Sequence, residues 1–156
     1  MKPGEVRPIV ICVFTHKDRL FVTEGYDSHK KETFYRPLGG AIEFGERSRE
    51  SIIREIGEEM GAEIKDLTYL DLIENVFTYD GQPGHEIVLV YEANFVDSSL
   101  YDLESVKCKD NGDWVAAMWK PMDDFRRGKA ILYPEGVLDL LESRGERNLP
   151  SNTDEA

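Results

Sequence analysis

Cysteine is scarce in this chain, with only Cys12 and Cys108 among 156 residues. The first lies in an apolar run, the second in a polar one, and their spacing suits no metal site. A disulfide-stapled or zinc-ligated framework is therefore excluded, and a reduced, cytoplasmic setting is expected. Long hydrophobic runs are lacking too. The N-terminal apolar stretch, Ile9 to Phe14, is too short for a signal sequence and far too short for a bilayer, so no membrane partner is expected. Basic residues are outnumbered: 19 Lys and Arg face 31 Asp and Glu, a formal net charge of −12. With no basic stripe to displace condensed counterions, duplex nucleic acid is excluded as a partner. A polyphosphate ligand would need metal ions and a few local Lys or Arg residues to reverse that field. No repeat, low-complexity tract or linker interrupts the chain. With 40% hydrophobic and 10% aromatic residues, it reads as one globular domain over residues 1–142, followed by a polar tail over 143–156 that is expected to fray.

Hydrophobic patterning supplies the elements. Residues 8–15 are apolar on both faces and predict a buried central strand, joined through a Lys17-Asp18 turn to a second strand, Arg19 to Glu24, as an opening hairpin. The polar segment 26–33 reads as a loop whose His29, Lys30 and Lys31 either aid solubility or attract phosphate from a mobile position. Residues 63–79 and Ile87 to Tyr91 predict a second hairpin around a Gly/Pro turn. Residues 97–102 read as loop, 109–113 as a turn and Trp114 to Trp119 as a strand. A short helical piece starts at Pro121, and a final helix is buried through Val137, Leu138, Leu140 and Leu141. Strands interleaved with two main helices indicate an α/β fold with a mixed sheet covered on both faces.

The densest information lies between Gly39 and Ala62. A helix is predicted from an N-cap at Ser48 to a stop at Gly61. On a helical wheel, Ile52, Ile53, Ile56 and Met60 occupy an arc of about 100°, and Glu55, Glu58 and Glu59 occupy the adjoining one. Carboxylates three and four residues apart oppose helix formation by roughly 0.2–0.5 kcal/mol per pair. Arg54 pairs with Glu58 at i, i+4, but one guanidinium cannot neutralise three acids, and oxygen-only ligands suit a hard cation such as Mg²⁺. Gly57 inside the helix costs roughly 1 kcal/mol against Ala, which suggests a neighbour packed tightly against it. Gly39 and Gly40, just before the helix, permit close backbone approach.

This pattern resembles the signature of the Nudix hydrolases. Gly40 opens it, Glu46 follows after five residues and Arg54 after seven more, and Glu55, Ile56, Glu58, Glu59 and Gly61 take their places. Ala62 stands where the family prefers a bulkier aliphatic residue. The resemblance implies a Nudix-type α/β/α sandwich. It also implies a Mg²⁺-dependent pyrophosphohydrolase, with Mn²⁺ as a substitute, that cleaves a nucleoside diphosphate linked to another group: a nucleotide sugar, an ADP-ribose-like compound or a nucleoside triphosphate-like compound. By the same resemblance Glu55, Glu58 and Glu59 and the carbonyl of Gly39 are metal ligands, Glu46 and Gly40 support the cluster, and Arg54 orients the carboxylates. The general base comes either from the signature, at Glu55 or Glu58, or from a later segment, where Glu86 is the candidate. Arg36 is a candidate phosphate clamp, and Tyr35, Phe77 and Tyr79 are candidate stacking residues. The expected partner is a small nucleoside diphosphate derivative bound by a monomer or homodimer. A non-hydrolytic sensor domain is the alternative reading. An isoprenoid diphosphate isomerase, which has a similar fold, would require a catalytic cysteine, and neither cysteine is suitably placed.

Overall fold

The computed structural model of the protein describes residues 4–110 and 112–147. Strand β1 (Val6–Val13) shows why the fold has three layers. Val10 and Cys12 enter one core with Phe14, Ile52 and Ile56, whereas Ile9, Ile11 and Val13 enter another with Val88, Met122, Phe125 and Val137. A strand apolar on both faces belongs inside a sheet. β1 accordingly lies between β5 (Leu38–Ala41), antiparallel to it, and β7 (Gln82–Phe95), parallel to it. Strand β6 (Ile64–Tyr79) completes a mixed sheet in the order β5-β1-β7-β6. Helix α1 (Ser48–Met60) covers the first core, while α2 (Met122–Arg126) and α3 (Val137–Arg147) cover the second. The result is the expected mixed α/β sandwich.

The β layer is two sheets rather than one. After β1 the chain enters β2 (Thr15–His16), which pairs with β3 (Arg19–Asp27) in a second, antiparallel sheet with β9 (Asp113–Pro121) and β8 (Ser105–Asp110). The expected hairpin of the first two long strands therefore does not form. Its turn is present, with Lys17 and Asp18 both in the left-handed region at φ 50° and 57°, but it joins β2 to β3. Phe14, stacked on Phe95 at 4.0 Å between ring centroids, marks the crossing between sheets.

The segment 26–33 is likewise more ordered than its polarity suggests. β3 runs to Asp27, and β4 (Glu32–Arg36) pairs back along it. Asp27 is 2% exposed. It accepts hydrogen bonds from the backbone of His29 and Lys30 at 3.0 Å and of Asp80 at 3.1 Å, fastening this turn to the β6–β7 turn. Ser28 donates in return to Asp80. That second turn is Asp80-Gly81, at φ 52° and 77°, a two-residue connection that suits the right-handed twist of a hairpin. Residues 82–84, expected as loop, already belong to β7.

Further corrections concern single positions. Ser98–Tyr101, expected as loop, is a short 3-10 helix. Cys108, though in a polar run, is fully buried in β8, where burial raises its thiol pKa to about 12. Cys12 is pushed up further by the same cause, so neither cysteine is a ready nucleophile. Ser48 is the first helical residue rather than the cap, which is Arg47, and its hydroxyl lies 2.7 Å from that of Tyr91. The helix stops as expected at Gly61, with φ 64° and its N–H bonded to the Gly57 carbonyl. A β-carbon at Gly57 would meet nothing within 4 Å, so no tight neighbour explains that glycine. Helix α3 continues to Arg147, five residues into the segment expected to fray, and the remainder of that tail lies outside the described residues.

Candidate active site

Burial along α1 follows its helical wheel. Ile52 and Ile56 are fully buried, while Ile53, at the edge of the apolar arc, is 50% exposed. On the other side, Glu59 lies only about 20° from Ile52, Glu55 about 60° and Glu58 about 120°. The Glu58 side chain is accordingly 61% exposed and that of Glu55 16%. Glu59 is the carboxylate closest to the core. Desolvation, followed by the adjacent charge and hydrogen bond of Glu55, raises its pKa to about 9. Asp110 adds to that effect and Arg36 opposes it.

Arg54 braces the cluster and reaches further than an i, i+4 pair. It donates to both carboxylate oxygens of Glu46, from Nε at 2.7 Å and Nη2 at 2.8 Å. Nη1 donates to Glu55 at 3.0 Å and Glu58 at 3.2 Å, and Nη2 also reaches the Ala41 carbonyl at 3.2 Å. The planar fork explains why arginine rather than lysine suits this position. Glu46 accepts in addition from Ser51 Oγ at 2.8 Å and the Glu43 backbone at 3.1 Å. These bonds hold its carboxyl down at a pKa of about 2, with Arg54 the leading cause. One guanidinium thus ties Glu46 to the helix carboxylates Glu55 and Glu58.

The glycine turn forms the facing wall. Ile11 pairs with Gly39 and Val10 with Gly40 across β1 and β5. A β-carbon on Gly39 would lie 2.0 Å from the Val10 carbonyl oxygen, and one on Gly40 would lie 2.5 Å from the Glu55 carboxyl carbon. Gly39 lets β5 press onto the central strand, and Gly40 leaves room for the carboxylate. Between this turn and the helix opens a cavity of about 490 Å³ whose lining includes Gly39, Gly40, Arg54, Glu55, Glu58 and Glu59. Glu86 and Arg36 line it too.

Glu86 sits on β7 beside Arg7 of β1, their parallel register matched and their charges 4.0 Å apart, with Asn75 of β6 at 3.5 Å. Glu86 thus faces the cluster's cavity while pairing with an arginine. Arg36 is bonded to Asp110 at 2.6 Å. Tyr35 is not on this cavity; its ring lies under Lys120 Nζ at 4.6 Å and packs edge-on with Phe125. Phe77 and Tyr79 line an adjoining cavity of about 390 Å³. Lys30 Nζ is 4.0 Å from Asp27 and stacks over Tyr133, so it belongs to a tethered turn and not to a free loop. Arg7 went unrecognised in the sequence, because only the parallel pairing of β1 with β7 brings it to the cleft.

Among the described residues no three His, Cys, Asp or Glu side chains already form a metal cage. Arg54 occupies one oxygen each of Glu55 and Glu58. The donors are nevertheless all carboxylate or carbonyl oxygens, the chemistry that suits Mg²⁺, Ca²⁺ or Mn²⁺ over softer metals.

An acidic cleft between a glycine turn and an arginine-braced helix, set in a three-layer α/β sandwich, defines the class of fold and site. Residues 5–140 match the family model described as the NUDIX domain, and the chain belongs to the Nudix family of hydrolases. Solved structures share the fold. A NUDIX hydrolase from Nitrosomonas europaea superposes with a TM-score of 0.60 at 17% identity, covering 99% of this chain and 97% of that one. A MutT NUDIX hydrolase from Burkholderia pseudomallei gives 0.59 at 18% identity, covering 77% and 86%. An ADP compounds hydrolase gives 0.59 at 21%, covering 96% and 78%. Among the described residues no helix is long and apolar enough to cross a membrane.

Proposed function

We propose that this protein is a Mg²⁺-dependent pyrophosphohydrolase acting on a nucleoside diphosphate linked to a second group, by attack of water on phosphorus. The observation that carries this reading is the convergence of Glu55, Glu58, Glu59 and Arg54 on one cavity walled by Gly39 and Gly40. Family membership and the fold shared with an ADP compounds hydrolase support it. Glu55, Glu58, Glu59 and the Gly39 carbonyl would hold the cation, which supplies charge neutralisation on the phosphates and a more acidic water.

The remaining work falls to the protein's own side chains. Arg54, fixed by Glu46, sets the direction of the Glu55 and Glu58 carboxylates. Gly40 leaves Glu55 the space it occupies. Arg36 is placed to grip a phosphate once Asp110 yields it. Three carboxylates on the cavity are candidates to take the proton of the attacking water: Glu55 and Glu58 on the helix, and Glu86 on β7. Replacing each by Gln distinguishes them, since the true base takes the acidic limb of the pH–rate profile with it.

The test is a panel of nucleoside diphosphate derivatives incubated with Mg²⁺ and then with EDTA. Hydrolysis that stops with EDTA, and is nearly abolished in Glu59→Gln while the variant still folds, is the expected outcome. Glu59→Gln turning over at the wild-type rate would overturn the site. Ligand binding without phosphate release would favour a sensor instead.

A further inference from the structure

Among the described residues three arginines line the glutamate cavity, and each already faces a carboxylate. Arg54 is shared among Glu46, Glu55 and Glu58, and Arg7 stands 4.0 Å from Glu86. The third pair is of another kind. Arg36, the last residue of β4, and Asp110, the last residue of β8, meet at 2.6 Å although 74 residues separate them in sequence. Asp110 is held there by its strand. Side chains two apart share a face, so the buried Cys108, which packs in one core with Ile52 and Ile56 of α1, fixes Asp110 on the helix side of β8. Its partner across the hairpin is Asp113, and like charges directly opposite repel. Lys109 Nζ lies over the Trp114 ring at 5.3 Å, and Arg36 is the cation that Asp110 meets. Behind burial and Glu55, both members of the pair act on the Glu59 pKa, Asp110 raising it and Arg36 lowering it.

The pair stands partly in water, with side-chain exposures of 49% for Arg36 and 37% for Asp110. Ion pairs so exposed contribute little to stability, and this one opens at small cost. Its effect falls on ligands. An anion that takes the Arg36 guanidinium must displace Asp110 and then lies beside that carboxylate and Glu59. A lone phosphate has no second hold with which to do so. A chain of phosphates gripped elsewhere in the cleft presents its next phosphate to Arg36 at an effective concentration on the order of millimolar, and it displaces Asp110 by mass action.

Resting on the proposed hydrolase for the identity of the longer ligand, we infer that Asp110 is a specificity-determining residue. It occupies Arg36 as an internal anion, so that inorganic phosphate and other small anions are shut out of the cleft while an extended diphosphate ester is admitted. The same exchange clears the site after cleavage, because a product left with a single phosphate contact loses Arg36 to Asp110.

The experiment titrates inorganic phosphate calorimetrically, at constant ionic strength and in EDTA, into wild type, Asp110→Asn, Asp113→Asn and the double variant Asp110→Asn with Arg36→Gln. Asp113 is exposed and off the cavity, so its substitution removes the same charge from the same hairpin without freeing Arg36. Phosphate is expected to bind Asp110→Asn about fivefold or more tightly than wild type, to bind Asp113→Asn within about twofold of wild type, and to lose the gain in the double variant. A merely structural role for Asp110 could not produce a gain in affinity. Inhibition by phosphate of the hydrolysis of whichever panel compound the wild type cleaves should strengthen in Asp110→Asn by the same factor. No gain in Asp110→Asn would overturn the inference, as would an equal gain in Asp113→Asn, which would show general charge relief, or a gain that survives the loss of Arg36. If wild type hydrolyses no compound of the panel, the hydrolase reading fails and the titration alone decides: tighter phosphate binding in Asp110→Asn that needs Arg36 supports the internal anion, and unaltered or absent binding overturns it.

Discussion

Glu59 and Glu46 sit on the same site and are tuned in opposite directions, because one faces the apolar arc and the other faces Arg54. Their effects on stability therefore have opposite signs. In metal-free protein burial and Glu55 push the Glu59 carboxyl up to about 9, far above the usual carboxylate range. Across that window the folded state holds a proton that the unfolded state has released, so stability falls as pH rises through it. Glu46, held near 2, gives stability that is present above its unfolded pKa and disappears only as pH falls towards 2. Urea denaturation in EDTA should show the midpoint dropping between pH 5 and pH 9 in wild type and nearly level in Glu59→Gln. A wild-type midpoint flat over that range would contradict the buried placement of the acid. Arg54→Lys keeps the charge but loses the fork, and is expected to lower turnover about 10- to 100-fold, the usual cost of removing a group that orients metal ligands.

At the level of elements, the two glycines either side of Glu55 make a contrast. Gly57 points into open space and is exposed, so Gly57→Ala should stabilise the protein by about 1 kcal/mol, read as a higher urea midpoint. Gly40→Ala would place a methyl group on the Glu55 carboxyl. Displacing that group by about 1 Å is expected to cost roughly 10²-fold in turnover while leaving the fold intact. The helix itself was legible in the sequence, because its period, its terminating glycine and its carboxylate arc are all local properties. So was the buried character of β1 and β7, which needs only an unbroken apolar run. The destination of each strand was not. Nothing between Val13 and Leu20 distinguishes a hairpin within one sheet from a step into a second, because that choice is made by Phe14 against Phe95, eighty residues away. The burial of Cys108 was hidden because its neighbours are charged, yet period-two alternation turns Lys107 and Lys109 outward and the thiol inward. Arg7 reaches the cleft through cross-strand register, which no local pattern specifies.

For the whole molecule, a formal net charge of −12 means that folding gathers like charge. The ion pairs that offset it are mostly on the surface. Arg126 joins Asp18, Asp123 and Glu142, linking the β2–β3 turn to both C-terminal helices. Such exposed pairs contribute little, and general repulsion should outweigh them. Raising NaCl from low ionic strength to about 0.15 M, where the screening length is about 8 Å, is expected to raise the thermal midpoint. A fall would mean that the surface pairs dominate.

The Asp27 clamp has a consequence beyond holding two turns together. It roots the cavity lined by Phe77 and Tyr79 in hairpins that share no residue with the glutamate helix, and the two cavities meet at Glu86 of β7. Changing only the tips of those hairpins, around residues 28–31 and 80–81, should therefore reshape that cavity while leaving Glu86, Arg36 and the helix carboxylates in place.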